Sequence, residues 1–192
     1  LRSMMQQYDE LETQPPHILI HDESNAQTLL EMRGHELTDN VITFSIEEIG
    51  ALSMPFWLAA MAYGAAGVTV WDALTHSDHD WQELQQQITL TNELLNGMGY
   101  STAIHWHQGN DFTALKSHIQ QLPKTEAATP SRFAGMDNKR RVSTMALSHL
   151  YENAPSPQAE ITLEKPAPFG EILVDKEACT LCMSCVSVCP VG

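Results

Sequence analysis

Four short β-rich runs alternate with segments of helical periodicity between residues 17 and 122. The β-rich runs cover residues 17–20, 41–44, 68–71 and 101–106, and the helical segments cover 22–33, 56–63, 81–98 and 111–122. Parallel neighbouring strands need such helical crossovers, and the crossovers are right-handed. The alternation therefore predicts the α/β class, with a parallel sheet that carries helices on both faces.

The size and order of this unit predict a small flavodoxin-like sandwich. Strands covered on both faces should be buried and rich in β-branched and aromatic residues. The side chains expected to form the core of the sheet are those of Ile18, Ile20, Ile42, Phe44, Val68, Val70 and Ile104.

The composition changes on both sides of this α/β domain, which we assign to residues 17–122. Residues 1–16 have no strong period and end in two prolines, which predicts a lead-in or linker. Residues 123–169 predict a loop, a helix over 131–151 and a Pro/Ala-rich tether. Residues 170–192 form a separate part, in which a short strand over 170–174 leads into the cysteines.

All four cysteines lie in the last fourteen residues, as Cys179, Cys182, Cys185 and Cys189, and Pro190 follows them. Their spacing is C-x₂-C-x₂-C-x₃-C. Three thiolates two residues apart can wrap a short loop around one cubane cluster, whereas a zinc site usually takes two well-separated pairs. The spacing therefore favours a [4Fe–4S] cluster as cofactor, with zinc or disulfides as the alternatives.

The cysteine run and its lead-in strand resemble a bacterial two-cluster ferredoxin module over residues 170–192. In such modules the fourth cysteine ligates the neighbouring cluster, and a second run returns the missing ligand. The resemblance implies that Cys179, Cys182 and Cys185 bind one cluster and that Cys189 binds the next. Because the sequence starts at Leu1 and stops three residues after Cys189, we expect a fragment of a longer chain that by itself binds a full cluster poorly.

A second resemblance lies inside the α/β domain. Residues 49–56 and 59–70, the latter reading AAMAYGAAGVTV, are similar to the iron–sulfur delta subunit of methyl-viologen-reducing hydrogenases, and residues 94–100 resemble the glycine-ended close of its next helix. That family carries cysteines for a two-iron cluster in the loop after the strand. Here residues 71–79 contain no cysteine. The resemblance implies a degenerate copy that keeps the fold and has lost this redox centre.

Two histidine pairs are further candidate sites. His76 and His79 lie in the loop after the third strand, where α/β sheets bind ligands, and form either a metal site or a polar loop and helix cap. The acids near them are Asp72, Asp78 and Asp80. His105 and His107 share a face of the fourth strand, either as metal ligands without a third partner or as ordinary surface or core residues.

Charge and composition exclude several functions. The formal net charge of −14 argues against nucleic-acid binding, and no apolar run approaches the length of a membrane span. Lys139, Arg140 and Arg141 are the local exception, either a solvated helix face or a docking patch for an acidic partner or cofactor. The turn at 21–25 has two acids and no glycine, so a nucleotide or flavin site has no support.

The expected function is electron transfer between redox partner proteins through [4Fe–4S] clusters. We expect no intrinsic catalysis and a role as a component of an oxidoreductase system. Because all cysteines belong to one motif, we expect a cytoplasmic protein. The alternative is a non-redox docking or structural module that binds a dehydrogenase or hydrogenase.

Overall fold

One parallel sheet organises the protein. The computed structural model describes residues 1–11, 14–23, 37–38, 40–73, 78–122, 127–134, 138–164, 167–170 and 173–188, with the backbone alone at 78–80. Its strands run in the spatial order β2-β1-β3-β4, and every neighbouring pair is parallel. The strands are β1 (His17–Asp22), β2 (Val41–Ile46), β3 (Gly67–Asp72) and β4 (Ile104–Gln108). This order is that of the flavodoxin-like sheet, so the predicted fold class is confirmed.

Helices connect and cover the strands. Those expected near residues 56–63, 81–98 and 111–122 are present, with ends shifted by a few residues. The helix predicted over 22–33 lies, from residue 24 onward, outside the described residues. The helices of the described residues are α1 (Arg2–Leu11), α2 (Met54–Ala62), α3 (Asp78–Gly97), α4 (Phe112–Gln121), α5 (Lys139–Glu152) and α6 (Ser184–Ser187).

The sheet has a core on each face, because successive strand side chains point to opposite sides. The larger core contains five buried residues of the sheet packed against α2, α3 and α5, namely Ile18, Ile20, Val68, Val70 and Ile104. The smaller core joins Leu19 and Trp71 to Phe112, Leu115 and Ile119 of α4. Of the residues expected in the core, Ile42 and Phe44 are only half-buried, because β2 lies at the edge of the sheet.

The start of β4 is fixed by a side chain from α3. Asn92 Oδ1 accepts hydrogen bonds from the Ala103 and Ile104 N–H groups at 3.2 and 3.0 Å, and its Nδ2 donates to Ile104 O at 2.8 Å. The strand predicted over 101–106 therefore runs from Ile104 to Gln108 instead.

Two helices differ from the sequence prediction. The lead-in contains α1, whose Met5 is 2 % exposed and belongs to the larger core. The helix predicted over 131–151 begins only at Lys139, because the Asn138 side chain accepts from the Arg141 N–H at 2.8 Å and caps it there. This α5 buries Ala146 and Leu150 in the same core, which therefore extends beyond residue 122.

Part of the tether that follows α5 packs along α3. The Ser156 and Gln158 N–H groups donate to Met98 O and Gly97 O at 3.2 and 2.9 Å. A Cβ atom on Gly97 would lie 2.6 Å from the Ile161 side chain, so a glycine permits this approach. The described residues between 170 and 174 have no strand assignment, so the strand predicted there is not found in the part of the chain that the structure describes.

Candidate metal centre

The cysteine segment begins with a turn held by an aspartate. Asp175 Oδ1 accepts from the Glu177 and Ala178 N–H groups at 3.0 and 3.2 Å. The Cys179 N–H in turn donates to Asp175 O at 2.9 Å. Aspartate is well suited to this turn, because its short side chain reaches backbone N–H groups two and three residues further on. The turn therefore fixes where the loop of cysteines begins.

The loop between the first and third cysteines is tightly curled. Leu181 and Met183, which flank Cys182, have φ angles of 57° and 62°. This left-handed conformation costs a residue with a Cβ on the order of 1 kcal/mol or more, and such strain is concentrated at functional sites. Cys185 follows within the short α6. The two left-handed residues keep the chain from extending and so keep the cysteines on a short loop.

The thiol of Cys182 is prepared for deprotonation. It donates to Ser184 Oγ at 3.3 Å, and the same hydroxyl can donate to the thiolate once the proton has left. The pKa of Cys182 is lowered to about 7, first by the Ser184 hydroxyl and then by the Ser184 N–H and the Thr180 hydroxyl. Because a cysteine binds metal as its thiolate, this favours the ligand form near neutral pH.

The donor set fits an iron–sulfur cluster in its chemistry. Cys179, Cys182 and Cys185 are exposed free thiols, and soft thiolates suit iron–sulfur clusters and zinc. Cys189 lies outside the described residues. In the part of the chain that the structure describes, no three potential ligands converge on one point. Gathering the thiolates around a cluster would therefore require the exposed loop to rearrange.

Large apolar side chains surround these cysteines without being buried. Six of them are between 56 % and 82 % exposed, unlike the apolar residues of the sheet domain. They are Leu173, Val174, Leu181, Met183, Val186 and Val188. Such a patch on a short segment indicates a surface that another structure covers.

The candidate histidine site in the loop after β3 is described only in part. His76 and the side chains of Asp78, His79 and Asp80 lie outside the described residues, so the loop site stays a prediction. Asp72 is fully buried at the end of β3.

His105 and His107 do share a face, and the sheet brings them close to two further histidines, His17 and His118. The inclusion of His17 and His118 in this group was not predicted from the sequence. The register of β1 with β3 and of β3 with β4 could have indicated it, because both histidine-bearing strands border β3.

The basic triplet opens α5. Lys139, Arg140 and Arg141 are exposed, and Lys139 and Arg140 line a groove of about 960 Å³ with Glu83 and Phe169. Cations at a helix N-terminus are disfavoured by the helix dipole, so they do not serve the stability of α5. Both interpretations of the triplet, a solvated helix face and a docking patch, therefore remain open.

The comparisons with known proteins identify the last segment. Residues 172–192 match the family model of the 4Fe-4S binding domain, and the match contains all four cysteines. The class of protein is thus an α/β sheet domain joined to a ferredoxin-type iron–sulfur segment. No curated protein matches the chain, so the resemblance to the hydrogenase delta subunit depends on its sequence pattern alone. Among the described helices, none is long and apolar enough to cross a membrane.

Proposed function

We propose that the protein transfers electrons between redox partner proteins through [4Fe–4S] clusters. The observation that carries this proposal is the match of residues 172–192 to the 4Fe-4S binding domain, with the complete cysteine run inside it. The lowered pKa of Cys182 and the curled loop around it support the same conclusion. We include a cytoplasmic location in the proposal, since every cysteine belongs to one metal-binding motif.

Within this proposal, Cys179, Cys182 and Cys185 are ligands of one cluster and Cys189 is a ligand of its neighbour, and the two clusters need further thiolates besides these four. A bound cluster supplies reversible one-electron chemistry. The chain itself holds the cluster by its thiolates and donates hydrogen bonds to sulfur from Ser184 and Thr180. The exposed apolar side chains of residues 173–188 provide the surface against which the rest of the module packs.

The α/β domain serves as the platform in this proposal. Its resemblance to a hydrogenase subunit without the two-iron cysteines supports a retained docking surface rather than a second redox centre. The formal charge of −14 favours partners with basic surfaces, because opposite charges accelerate encounter.

The metal content of a cysteine variant tests the ligand assignment. The full-length protein, purified without oxygen in wild-type form and as Cys182→Ser, is analysed for iron, zinc and acid-labile sulfide. We expect iron and sulfide in equal amounts in the wild type and a clear loss of both in the variant. Ser187→Ala is the matched control, since Ser187 Oγ donates to Met183 O at 3.2 Å within the same loop. Equal iron in all three proteins would refute the assignment.

The second candidate function is a docking module that carries no electrons. The exposed basic triplet at the start of α5 favours it. A protein that binds a dehydrogenase or hydrogenase yet has no reducible, chelatable chromophore after anaerobic purification would support this alternative.

A further inference from the structure

Four histidines meet on the side of the sheet that α4 covers. His17 comes from β1, His105 and His107 from β4, and His118 from α4. The ring centroids of His17 and His105 are 6.5 Å apart, those of His105 and His118 are 6.0 Å apart, and those of His107 and His118 are 5.1 Å apart. These contacts form a continuous chain of imidazoles, which we name the four-histidine cluster.

The deepest member is enclosed by the sheet. His17 is 9 % exposed, and its Nε2 shares a hydrogen bond of 2.8 Å with the Oγ1 of Thr69, which is fully buried. A Cβ on Gly67 would lie 3.0 Å from His17 Nδ1, so the ring packs directly against the backbone of β3. If this ring took up a proton, little water could reach it to solvate the charge.

His118 occupies the other end of the cluster. Its Nε2 is buried and has no hydrogen-bond partner in the part of the chain that the structure describes. A buried polar atom without a partner is destabilising, and a charge on the ring would be more so. His118 therefore lies at the contact between α4 and the sheet, and access of water to its Nε2 would stabilise it.

The charged groups around the cluster provide little compensation. Asp111, at the N-cap of α4, raises the pKa of His107, but its carboxylate already accepts from the Thr113 and Ala114 N–H groups at 2.8 and 3.3 Å. His21 lies further along β1 and hydrogen-bonds to Asp22 O at 2.8 Å. β3 contributes Thr69 and Trp71, which carry no charge, and Lys116 is the remaining charged residue of α4.

All four histidines are consequently poor bases. Burial is the main cause and lowers the pKa of each one, and the pKa of His17 falls to about 4. Repulsion by His118 lowers the pKa of the other three further, and His105 adds to the effect on His17. At neutral pH the cluster is uncharged.

Among the described residues, α4 has few apolar contacts with the sheet. The helix packs through Phe112, Leu115 and Ile119 onto Leu19 and Trp71, whereas the opposite face of the sheet is covered by α2, α3 and α5. Elements with few buried apolar contacts open locally before the whole domain unfolds. Protonation of the cluster should therefore weaken the packing of α4 on the sheet before it affects the rest of the domain.

We propose that the four-histidine cluster is a proton-binding site that releases α4 from the sheet in mild acid. The closed state binds fewer protons than the opened state, so opening becomes easier as pH falls. The contact has its full strength above pH 6.5, the ordinary histidine pKa, and weakens from there toward pH 4, the pKa of His17.

Hydrogen exchange of the whole chain tests this proposal. We expect the protection of the α4 amides, corrected for the intrinsic pH dependence of exchange, to fall at least about tenfold between pH 7 and pH 5, since each bound proton contributes up to about tenfold per pH unit. The amides of α2 and α5 should keep their protection over this range. Unchanged protection of α4 would overturn the proposal.

Variants separate the cluster from general acid effects. His118→Leu should reduce the pH dependence of α4, and His118→Gln, which stays neutral and polar, should reduce it as well. His149→Gln on α5 is the control and should behave as the wild type. An undiminished pH dependence of α4 protection in both His118 variants would contradict the proposal. A requirement for added Zn²⁺ to protect α4 at neutral pH would also contradict it, because the cluster would then be a metal site.

Discussion

At the scale of single residues, the immediate neighbours of Cys182 set its chemistry. Ser184 hydrogen-bonds to Cys182 Sγ through its hydroxyl and its N–H, and the Thr180 hydroxyl adds a third hydrogen bond. The side chain is fully exposed, so burial does not oppose its ionisation appreciably. Local sequence, rather than the folded core, therefore lowers the pKa of this candidate ligand.

Replacing Ser184 by Ala should raise the pKa of Cys182 from about 7 toward the ordinary thiol range, because the largest contribution to the shift is removed. At pH 7 we expect Cys182 of the metal-free, reduced protein to be alkylated about three- to fivefold more slowly, since the thiolate is the nucleophile. Peptide mass spectrometry resolves Cys182 from the other cysteines. Ser187→Ala should leave the rate unchanged, and an equal loss in both variants would argue against the hydrogen bond.

The individual residues differ in how far the sequence revealed them. The spacing of the four cysteines is a local pattern, so their candidate role was evident without a fold. The effect of Ser184 on the pKa of Cys182 was not predicted, because a serine between two cysteines does not form a recognisable sequence motif. The four-histidine cluster was not predicted either, since His17 and His118 join His105 and His107 only through the strand register and the packing of α4.

At the scale of elements, Asn92 joins α3 to β4. Its side chain makes three hydrogen bonds to the backbone of Ala103 and Ile104 at the start of the strand. Those backbone groups are partly buried, so water would replace the lost side chain only in part.

Asn92→Ala should lower the free energy of unfolding by about 2 kcal/mol, because several hydrogen-bonding groups lose their partner. Asn96→Ala is the matched control, since Asn96 is exposed near the end of the same helix. Urea denaturation of both variants measures the difference. Similar stabilities for the two would show that the hydrogen bonds to β4 contribute little.

Helices and strands were predictable where the periodicity was long or strongly apolar, as in α3 and in β1 and β3. α1 was not predicted, since residues 1–11 have mostly polar side chains and the burial of Met5 becomes visible only in three dimensions. The start of α5 was misplaced by eight residues (131 against 139), because the capping by Asn138 is a single contact that periodicity does not reveal.

At the scale of the whole molecule, the sheet domain is larger than its alternating strands and helices. α5 packs on α2, and Tyr100 donates its hydroxyl to Leu150 O at 2.9 Å in the interior. Residues 154–164 then follow α3. A boundary after residue 122 would remove a helix from the core.

A chain shortened after residue 164 should unfold cooperatively in the presence of a chelator, because its core contains no cysteine and needs no metal. A chain shortened after residue 122 should lose most of that stability, since it would lack α5, which packs on α2 and buries Ala146 and Leu150 in the core. Thermal unfolding followed by circular dichroism distinguishes the two. A metal-dependent transition in the longer chain, or equal stability of both, would contradict this prediction.

The proposed function requires that the cysteine run hold a redox-active iron–sulfur cluster in the full-length protein. Electron paramagnetic resonance of that protein, isolated and reduced without oxygen, tests it most directly when combined with iron and sulfide analysis. We expect a signal that appears on reduction, disappears on reoxidation and is lost in Cys182→Ser. Zinc bound to the cysteines without sulfide, and no signal on reduction, would contradict it.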